Sequence, residues 1–319
     1  GREISPLDAR EVRRVAKRLL ADGYDKVALV GKFCQRNPAH ELAAMAILEA
    51  VSTDGGWAGA TDGRARLQVE CGHRVSGRLN FPRRAATTLL TLATRDRYRE
   101  FAASMNRALS ERNIAARVFV LKADGGTLPL DYSLRSPVET IFSGPAASTM
   151  GALALAPAGE SFVALDVGGT TTDLALVLDG RPLMSSKGAR VGGLLTHVRA
   201  FAVKSVPVGG DSAVRVVDGA LTVGPDRAGP PVCLGGTIPT PTDAMRVRGV
   251  TDLGDGDVAR RAMEGVAAGM GVTVAEAAAQ VMRRAADAIA REVDDMFVHW
   301  RNEPVYRVWE VVQAQHTRP

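Results

Sequence analysis

Residues 162–180 read FVALDVGGTTTDLALVLDG, with an apolar run on each side of Asp166, two glycines, three threonines and Asp173. Short apolar runs bounded by turn residues are strands. The glycines let the chain reverse between them, so the stretch predicts a hairpin with a glycine tip. Two readings stay open from these residues. The tip is either a structural turn with incidental threonines, or a loop that holds phosphate. In the second reading, backbone N–H groups converge on an anion at Gly168 and Gly169, where no Cβ blocks the approach. Thr170, Thr171 and Thr172 supply hydroxyls, and Asp166 holds a magnesium ion through its waters. The complete spacing D-x-G-G-T-x-T-D between two strands is far more specific than a lone glycine pair, and phosphate binding is the expectation.

The rest of the chain sets the surroundings of that hairpin. Residues 7–22 place Val12, Val15, Leu19 and Leu20 on one helical face. Residues 26–33 and 67–72 read as buried strands, 116–123 as another closed by Asp-Gly-Gly, and 37–51 and 82–112 as helices. Asn37 is the expected N-cap of the helix at 37–51, with Pro38 in its first turn. Helices alternating with short apolar strands predict α/β architecture with mostly parallel strands. From about residue 160 the pattern changes to short strands at 162–166, 173–179, 182–186, 213–217 and 220–223. Asp179-Gly180 and Asp218-Gly219 serve as hairpin turns. Residues 256–298 read as helices, with Thr273 and Glu276 forming a capping box. A loop is expected at 54–66 and a last strand within 303–315.

Composition excludes several classes. At 46% hydrophobic and 24% charged the chain is of ordinary globular make-up. No apolar run approaches the roughly 20 residues that a membrane helix needs, so no membrane partner is expected. The net charge of +5 comes from scattered arginines, and only 5% of residues are aromatic. That argues against a stacking platform for nucleic acid. Cys34, Cys71 and Cys233 have no metal-like spacing, and no histidine pair does, so a reduced cytoplasmic protein is expected without zinc. The segment Cys71-Gly72-His73 reads as coincidence.

A second glycine loop, Gly209-Gly210-Asp211-Ser212, follows a strand-like run and has a permissive backbone. It either contacts nucleotide, metal or substrate, or is a turn with an aspartate cap. Asp243, in PTPTDA, either caps the helix that follows or points into a cleft as a metal ligand.

With these motifs in place, the chain resembles the hydantoinase/oxoprolinase family, the ATP-dependent cyclic-amide hydrolases, within the actin-like ATPase superfamily. DVGGTTTD (166–173) carries only the superfamily likeness. RLNFPRRAATTLL (78–90), KADGGTLPL (122–130), SPVETIFSGPAAS (136–148), VGGDSAVRV (208–216), VGPDRAGP (223–230) and PTPTDAMRVRG (239–249) narrow it. SPVETIFSGPAAS is the most family-specific of them. The resemblance implies an actin-like ATPase (ribonuclease H-like) domain with a mixed sheet and flanking helices over 133–319, preceded by an α/β segment over 1–132.

The resemblance also implies ATP and magnesium as cofactors, a small cyclic amide of hydantoin or 5-oxoproline type as substrate, and a second subunit of hydantoinase B type. Asp166, Asp173 and Asp211 are then the expected catalytic carboxylates. Gly168, Gly169, Thr170, Thr171, Thr172, Gly209, Gly210 and Ser212 are the expected nucleotide contacts, and Asp166 and Asp243 the expected metal ligands. The alternatives kept beside this are a non-hydrolytic actin-like ATPase, such as a reactivating chaperone or a carboxylase-type subunit, and a binding-only scaffold. Family members carry an earlier D-x-G-G-T-x-T-D, which no part of this sequence supplies, and many read a glycine run where Asp211 stands here. The expectation is therefore a central fragment with one wall of a nucleotide cleft, inactive by itself.

Overall fold

Asp8 opens the first helix. In the computed structural model its carboxylate accepts from the backbone N–H groups of Arg10 and Glu11, two of the donors that a helix start leaves orphaned. The structure describes residues 3, 5–54 and 67–302. The expected loop beyond residue 54 and the expected strand within 303–315 lie outside them.

The chain divides into two units, residues 1–147 with 184–201, and residues 148–183 with 202–319. The boundary expected at 132/133 thus moves to 147/148, and residues 184–201 return to the first unit. Long-range backbone pairing is the reason. Ser185 N–H donates to the Ala200 carbonyl, and Phe201 N–H donates to the Ala123 carbonyl. No local signal announces either bond.

In the first unit, α1 (Ala9–Ala21) and α2 (Ala39–Asp54) pack over a parallel strand pair, β1 (Lys26–Leu29) and β2 (Gln68–Cys71). Ala16, Leu48, Val51 and Leu67 form the core between them. Parallel neighbours need a long crossover, which α2 supplies. Asn37 Oδ1 accepts from Ala39 N–H, as expected of the cap. After the single turn α3 (Gly72–Val75), α4 (Phe81–Glu111) runs as one unbroken 31-residue helix.

Threonine is a modest helix former, yet α4 buries Thr87, Thr88 and Thr91. Each hydroxyl donates to the carbonyl one turn back, on Arg83, Arg84 and Thr87, so none of the three is left unsatisfied. The expected strand at 116–123 shortens to β3 (Phe119–Leu121), which pairs antiparallel with β4 (Thr127–Pro129). Parallel pairing is confined to β1 and β2 among the described residues. The short helix α5 (Leu130–Ser133) follows, and then α6 (Ser143–Leu155), which opens at Ser143-Gly144-Pro145.

The second unit is built on β5 (Phe162–Val167) and β6 (Thr172–Leu178), joined as an antiparallel hairpin, with β7 (Arg181–Pro182) turning back onto β6. Asp179 and Gly180 both take positive φ, at 48° and 69°, the conformation that an Asp-Gly hairpin turn requires. The small pair β8 (Arg190–Val191) and β9 (Leu194–Leu195) lies in the inserted first-unit segment. β10 (Val203–Val206) adds antiparallel to the other side of β6, which becomes the central strand. Leu174, Ala175, Leu176 and Val177 of β6 are buried, at about 1.5–3 kcal/mol for each large aliphatic side chain removed from water.

A separate hairpin joins β11 (Val214–Val217) and β12 (Ala220–Val223) through Asp218-Gly219. The helices α7 (Pro241–Val247), α8 (Gly256–Met270) and α9 (Val274–Asn302) close the unit. α7, α8 and α9 enclose Ala244, Met263, Ala277 and Val281, while α9 lays Ile289, Val293 and Met296 on the sheet. The Thr273–Glu276 capping box forms at the start of α9. Among the described residues no single helix is long and apolar enough to cross a membrane.

Candidate functional site

The tip of the β5–β6 hairpin is closed by Gly168 N–H donating to the Thr171 carbonyl at 2.9 Å. Beyond that bond, the N–H groups of Gly169, Thr170 and Thr171 donate to nothing among the described residues. Gly169 and Thr170 are exposed and Thr171 is half-buried. Consecutive free amides at an exposed glycine tip are the electrostatic shape of an anion nest.

The second glycine loop docks directly on this tip. Gly210 N–H donates to the Gly168 carbonyl at 2.9 Å, and Asp211 N–H donates to the Gly169 carbonyl at 2.7 Å. The contact is so close that a Cβ on Gly209 would lie 2.5 Å from the Gly168 oxygen and 2.6 Å from the Gly169 oxygen. A Cβ on Gly169 would meet Asp211 Oδ2 at 2.6 Å. Glycine at these positions is a matter of backbone approach, not of unusual dihedrals.

Other expected site residues are placed within the scaffold of the loops. The Thr172 hydroxyl is fully buried and donates to the Val208 carbonyl at 2.7 Å, tying β6 to the approach of the second loop. Ser212 is buried, and its Oγ accepts from Gly209 N–H at 2.9 Å, folding the loop on itself. Thr242 donates to the Gly210 carbonyl through both its N–H and its hydroxyl, so the start of α7 braces the same loop.

Asp243 is fully buried. Its carboxylate accepts from the N–H groups of Val232, Cys233 and Thr240 and from the Thr240 hydroxyl. Four donors match the acceptor capacity of a carboxylate. Of the two roles expected for Asp243, the geometry is that of the cap: it completes a capping box and pins the Val232–Leu234 turn. It leaves no lone pair facing a cation.

Three carboxylates remain near the tip. Asp166 and Asp173 are register partners across the hairpin. Asp166 is exposed and accepts from the Ser148 hydroxyl on α6, while Asp173 is half-buried. Neither makes an ion pair among the described residues. Asp211 accepts from Arg227 Nη2 at 2.8 Å, which orients it beside Gly169. Ser148 and Arg227 escape sequence reasoning. Each is an ordinary polar residue that folding brings beside an aspartate 18 or 16 positions away.

The first unit holds a further polar cluster, in which Glu41 joins Cys71 and His73 of the segment read from the sequence as coincidence. Glu41, Cys71 and His73 bring ligand-type atoms within 4.8 Å of one another. Glu41 is 2% exposed, and its oxygens accept from Gly31 N–H, His73 N–H and His73 Nδ1. Arg84, also fully buried, donates to the Gly31, Lys32 and Arg78 carbonyls. This arrangement fixes the turns after β1 and β2. Burial pushes the Cys71 thiol up to about 11.

The family model described as hydantoinase/oxoprolinase matches residues 84–306, and the one for the N-terminal region of the same family matches residues 1–52. The acetophenone carboxylase gamma subunit of Aromatoleum aromaticum is 27% identical over 92% of this chain and 42% of its own length. The crystal structure of an ATP-dependent caprolactamase from Pseudomonas jessenii superposes with a TM-score of 0.66 at 26% identity, over 90% of this chain and 42% of that one. A nucleotide-free acetone carboxylase gives a TM-score of 0.73 at 24% identity, over 88% and 41%, a likeness of fold. The chain spans less than half the length of the curated relatives it matches.

Proposed function

The chain belongs to the hydantoinase/oxoprolinase family, and from that premise we propose that it carries one phosphate-binding wall of an ATP-dependent enzyme that activates a carbonyl oxygen by phosphorylation. The observation that carries this reading is the set of N–H groups at Gly169, Thr170 and Thr171 that donate to nothing among the described residues. They stand beside two opposed carboxylates that have no cationic partner among the described residues. Amides of this kind bind phosphate oxygens, and the hydroxyls of Thr170 and Thr171 lie on the same loop.

The opposed pair Asp166 and Asp173 suits a magnesium ion, because oxygen donors of like charge are favourable together only around a cation. Asp166, presented at the exposed strand end, and Asp173 are the residues that would hold it, whereas Asp243 is spent on its cap. A bound magnesium ion supplies neutralisation of charge on the phosphate oxygens. Asp211, oriented by Arg227 at the base of the loop, would hold a water near the reacting group.

The protein's contribution to phosphoryl transfer is positioning and charge stabilisation. Transfer of the terminal phosphoryl group of ATP to the oxygen of a cyclic amide, with release of ADP, makes the ring carbon electrophilic; water then adds there, the C–N bond breaks to open the ring, and inorganic phosphate leaves. The preferred substrate is accordingly a cyclic amide of hydantoin, 5-oxoproline or lactam type. The likeness to a carboxylase subunit supports a second reading, in which the same phosphoryl activation serves carboxylation of a ketone. The catalytic partner in either case is a second subunit. Three buried free cysteines fit a reduced, cytoplasmic setting.

The deciding experiment assays the full-length protein with its second subunit for ATP consumption. Hydantoin, 5-oxoproline and caprolactam are tested in one arm, and acetone or acetophenone with bicarbonate in the other. Asp166→Ala should lower turnover by about 10²–10³, the scale of losing one charge-stabilising group. Unchanged ATP turnover in Asp166→Ala and Asp173→Ala would remove the assignment.

A further inference from the structure

The first unit contains a cavity of about 260 Å³ that uses none of the phosphate-loop residues. Its walls come from the start of α4 with the turn before it, and from the inserted segment 184–201. Arg78, Arg83, Lys187 and Arg199 line it together with His197 and Ser185. Among the described residues, the side chains of Arg78, Arg83 and Arg199 form no ion pair. Arg78 and Arg199 are exposed and Arg83 is half-buried, so their guanidinium donors border the space and are open to an anion that enters it.

The walls are held rigidly. His197 Nδ1 lies 2.7 Å from Ser76 Oγ, and His197 N–H donates to Thr87 Oγ1 at 2.9 Å. Gly188 sits at φ +79°, where a Cβ would be 2.5 Å from the Thr196 carbonyl oxygen. Two strand-like bonds, Ala189 N–H to Val198 and Thr196 N–H to Ala189, fix the inserted segment. Glu139 is a carboxyl whose field reaches Arg78 and Arg199; burial raises its pKa, and its direct ion partner is Lys122 at 3.9 Å. His197 is held below its ordinary value by desolvation first and then by the neighbouring arginines Arg78, Arg83 and Arg84. Among the described residues, then, no carboxylate pairs directly with Arg78, Arg83 or Arg199.

We propose that this cavity is a binding site for a small phosphate-class oxyanion, either inorganic phosphate or the phosphate group of a small metabolite. Its size decides against a whole nucleotide, since pockets for drug-sized ligands begin at about 300 Å³. Arginine forks match phosphate oxygens two at a time, and the Ser185 side of the wall adds small polar groups without bulk. The inference is independent of the nucleotide reading, because the two sites share no residue.

The test titrates inorganic phosphate into the 319-residue chain by calorimetry at constant ionic strength, with chloride as the exchanged anion. Parallel arms use glycerol phosphate and acetate. Saturable phosphate binding is expected, weakened about ten-fold or more in Arg83→Gln and in Arg199→Gln, and unchanged in Arg260→Gln, an exposed arginine of α8. Thermal melting of each variant confirms that the fold persists, and the His197 imidazole resonances should move as phosphate is added. Tighter binding of glycerol phosphate assigns the site to a phosphorylated metabolite, and weaker binding assigns it to the free ion. Absence of saturation, equal affinity for acetate, or phosphate binding untouched in both arginine variants overturns the proposal. An equal loss of phosphate binding in Arg260→Gln would also overturn it, by making the effect one of net charge.

Discussion

Asp166 and Asp173 face each other as register partners on the antiparallel strands β5 and β6, on either side of the glycine tip. Like charges directly opposite in a sheet repel, at a cost on the order of 0.2–1 kcal/mol. A divalent cation should therefore stabilise the chain, and Asp166→Asn or Asp173→Asn should stabilise it slightly in the absence of cation. Differential scanning fluorimetry with and without magnesium measures both effects. Identical magnesium responses in wild type and Asp166→Asn would dissociate the pair from cation binding.

Gly209 packs its backbone against the carbonyls of Gly168 and Gly169. Gly209→Ala forces the two loops apart, which should cost about 1–3 kcal/mol, the usual penalty for overpacking. Urea denaturation reads the loss. Gly219→Ala is a comparison of another kind, since nothing lies within 4 Å of its Cβ and only its φ of +76° is strained. A larger loss at Gly219 than at Gly209 would mean that the docked loops are less tightly joined than they look.

Asp243 gathers four donors in a fully buried position. Asp243→Ala strands those donors and should destabilise the second unit by about 2–5 kcal/mol. The loss should be the same in chelator and in magnesium, because the carboxylate serves a cap. A penalty that appears only when magnesium is present would instead make Asp243 a metal ligand.

His197 has its native pKa lowered, first by desolvation and then by Arg78, Arg83 and Arg84. The unfolded chain thus binds a proton here more readily than the native chain. Stability owed to neutral His197 is complete above its ordinary value of 6.5. It is lost as pH falls below that value and through the lowered native one. Denaturation midpoints at pH 7.5 and 5.5 should therefore differ more in wild type than in His197→Gln. A pH slope of equal size in both would assign the dependence to other groups.

Burial raises the Cys71 and Cys233 thiols to about 11 each, and Cys34 is raised too. Thiolate is the reactive form, so all three should resist a disulfide reagent at pH 8 until the chain unfolds. Fast labelling of the native protein at any of them contradicts the burial.

Periodicity, caps and turn chemistry made much of the local structure legible in the sequence. Asn37, Thr273 with Glu276, and both Asp-Gly hairpins do what their residue types require, because each is settled by contacts within a few residues. The strand ends were less legible. β1 stops at Leu29 and not at residue 33, because Gly31 and Lys32 turn to meet Glu41 and Arg84, residues far along the chain.

The sequence by itself determined the hairpin with its glycine tip, the helices around it and the family, since these depend on residue order and short-range pattern. Tertiary structure alone decided which polar groups remain available. It turned Thr172 and Ser212 inward, spent Asp243 on a cap, docked Gly209 and Gly210 on the glycine tip, and left the amides of Gly169, Thr170 and Thr171 without partners among the described residues. It also carried residues 184–201 back to the first unit, placing Arg199 and His197 around a cavity with Arg78 and Arg83. Hydrogen bonds and charges act through space, and a pattern along the chain does not specify which distant groups will meet.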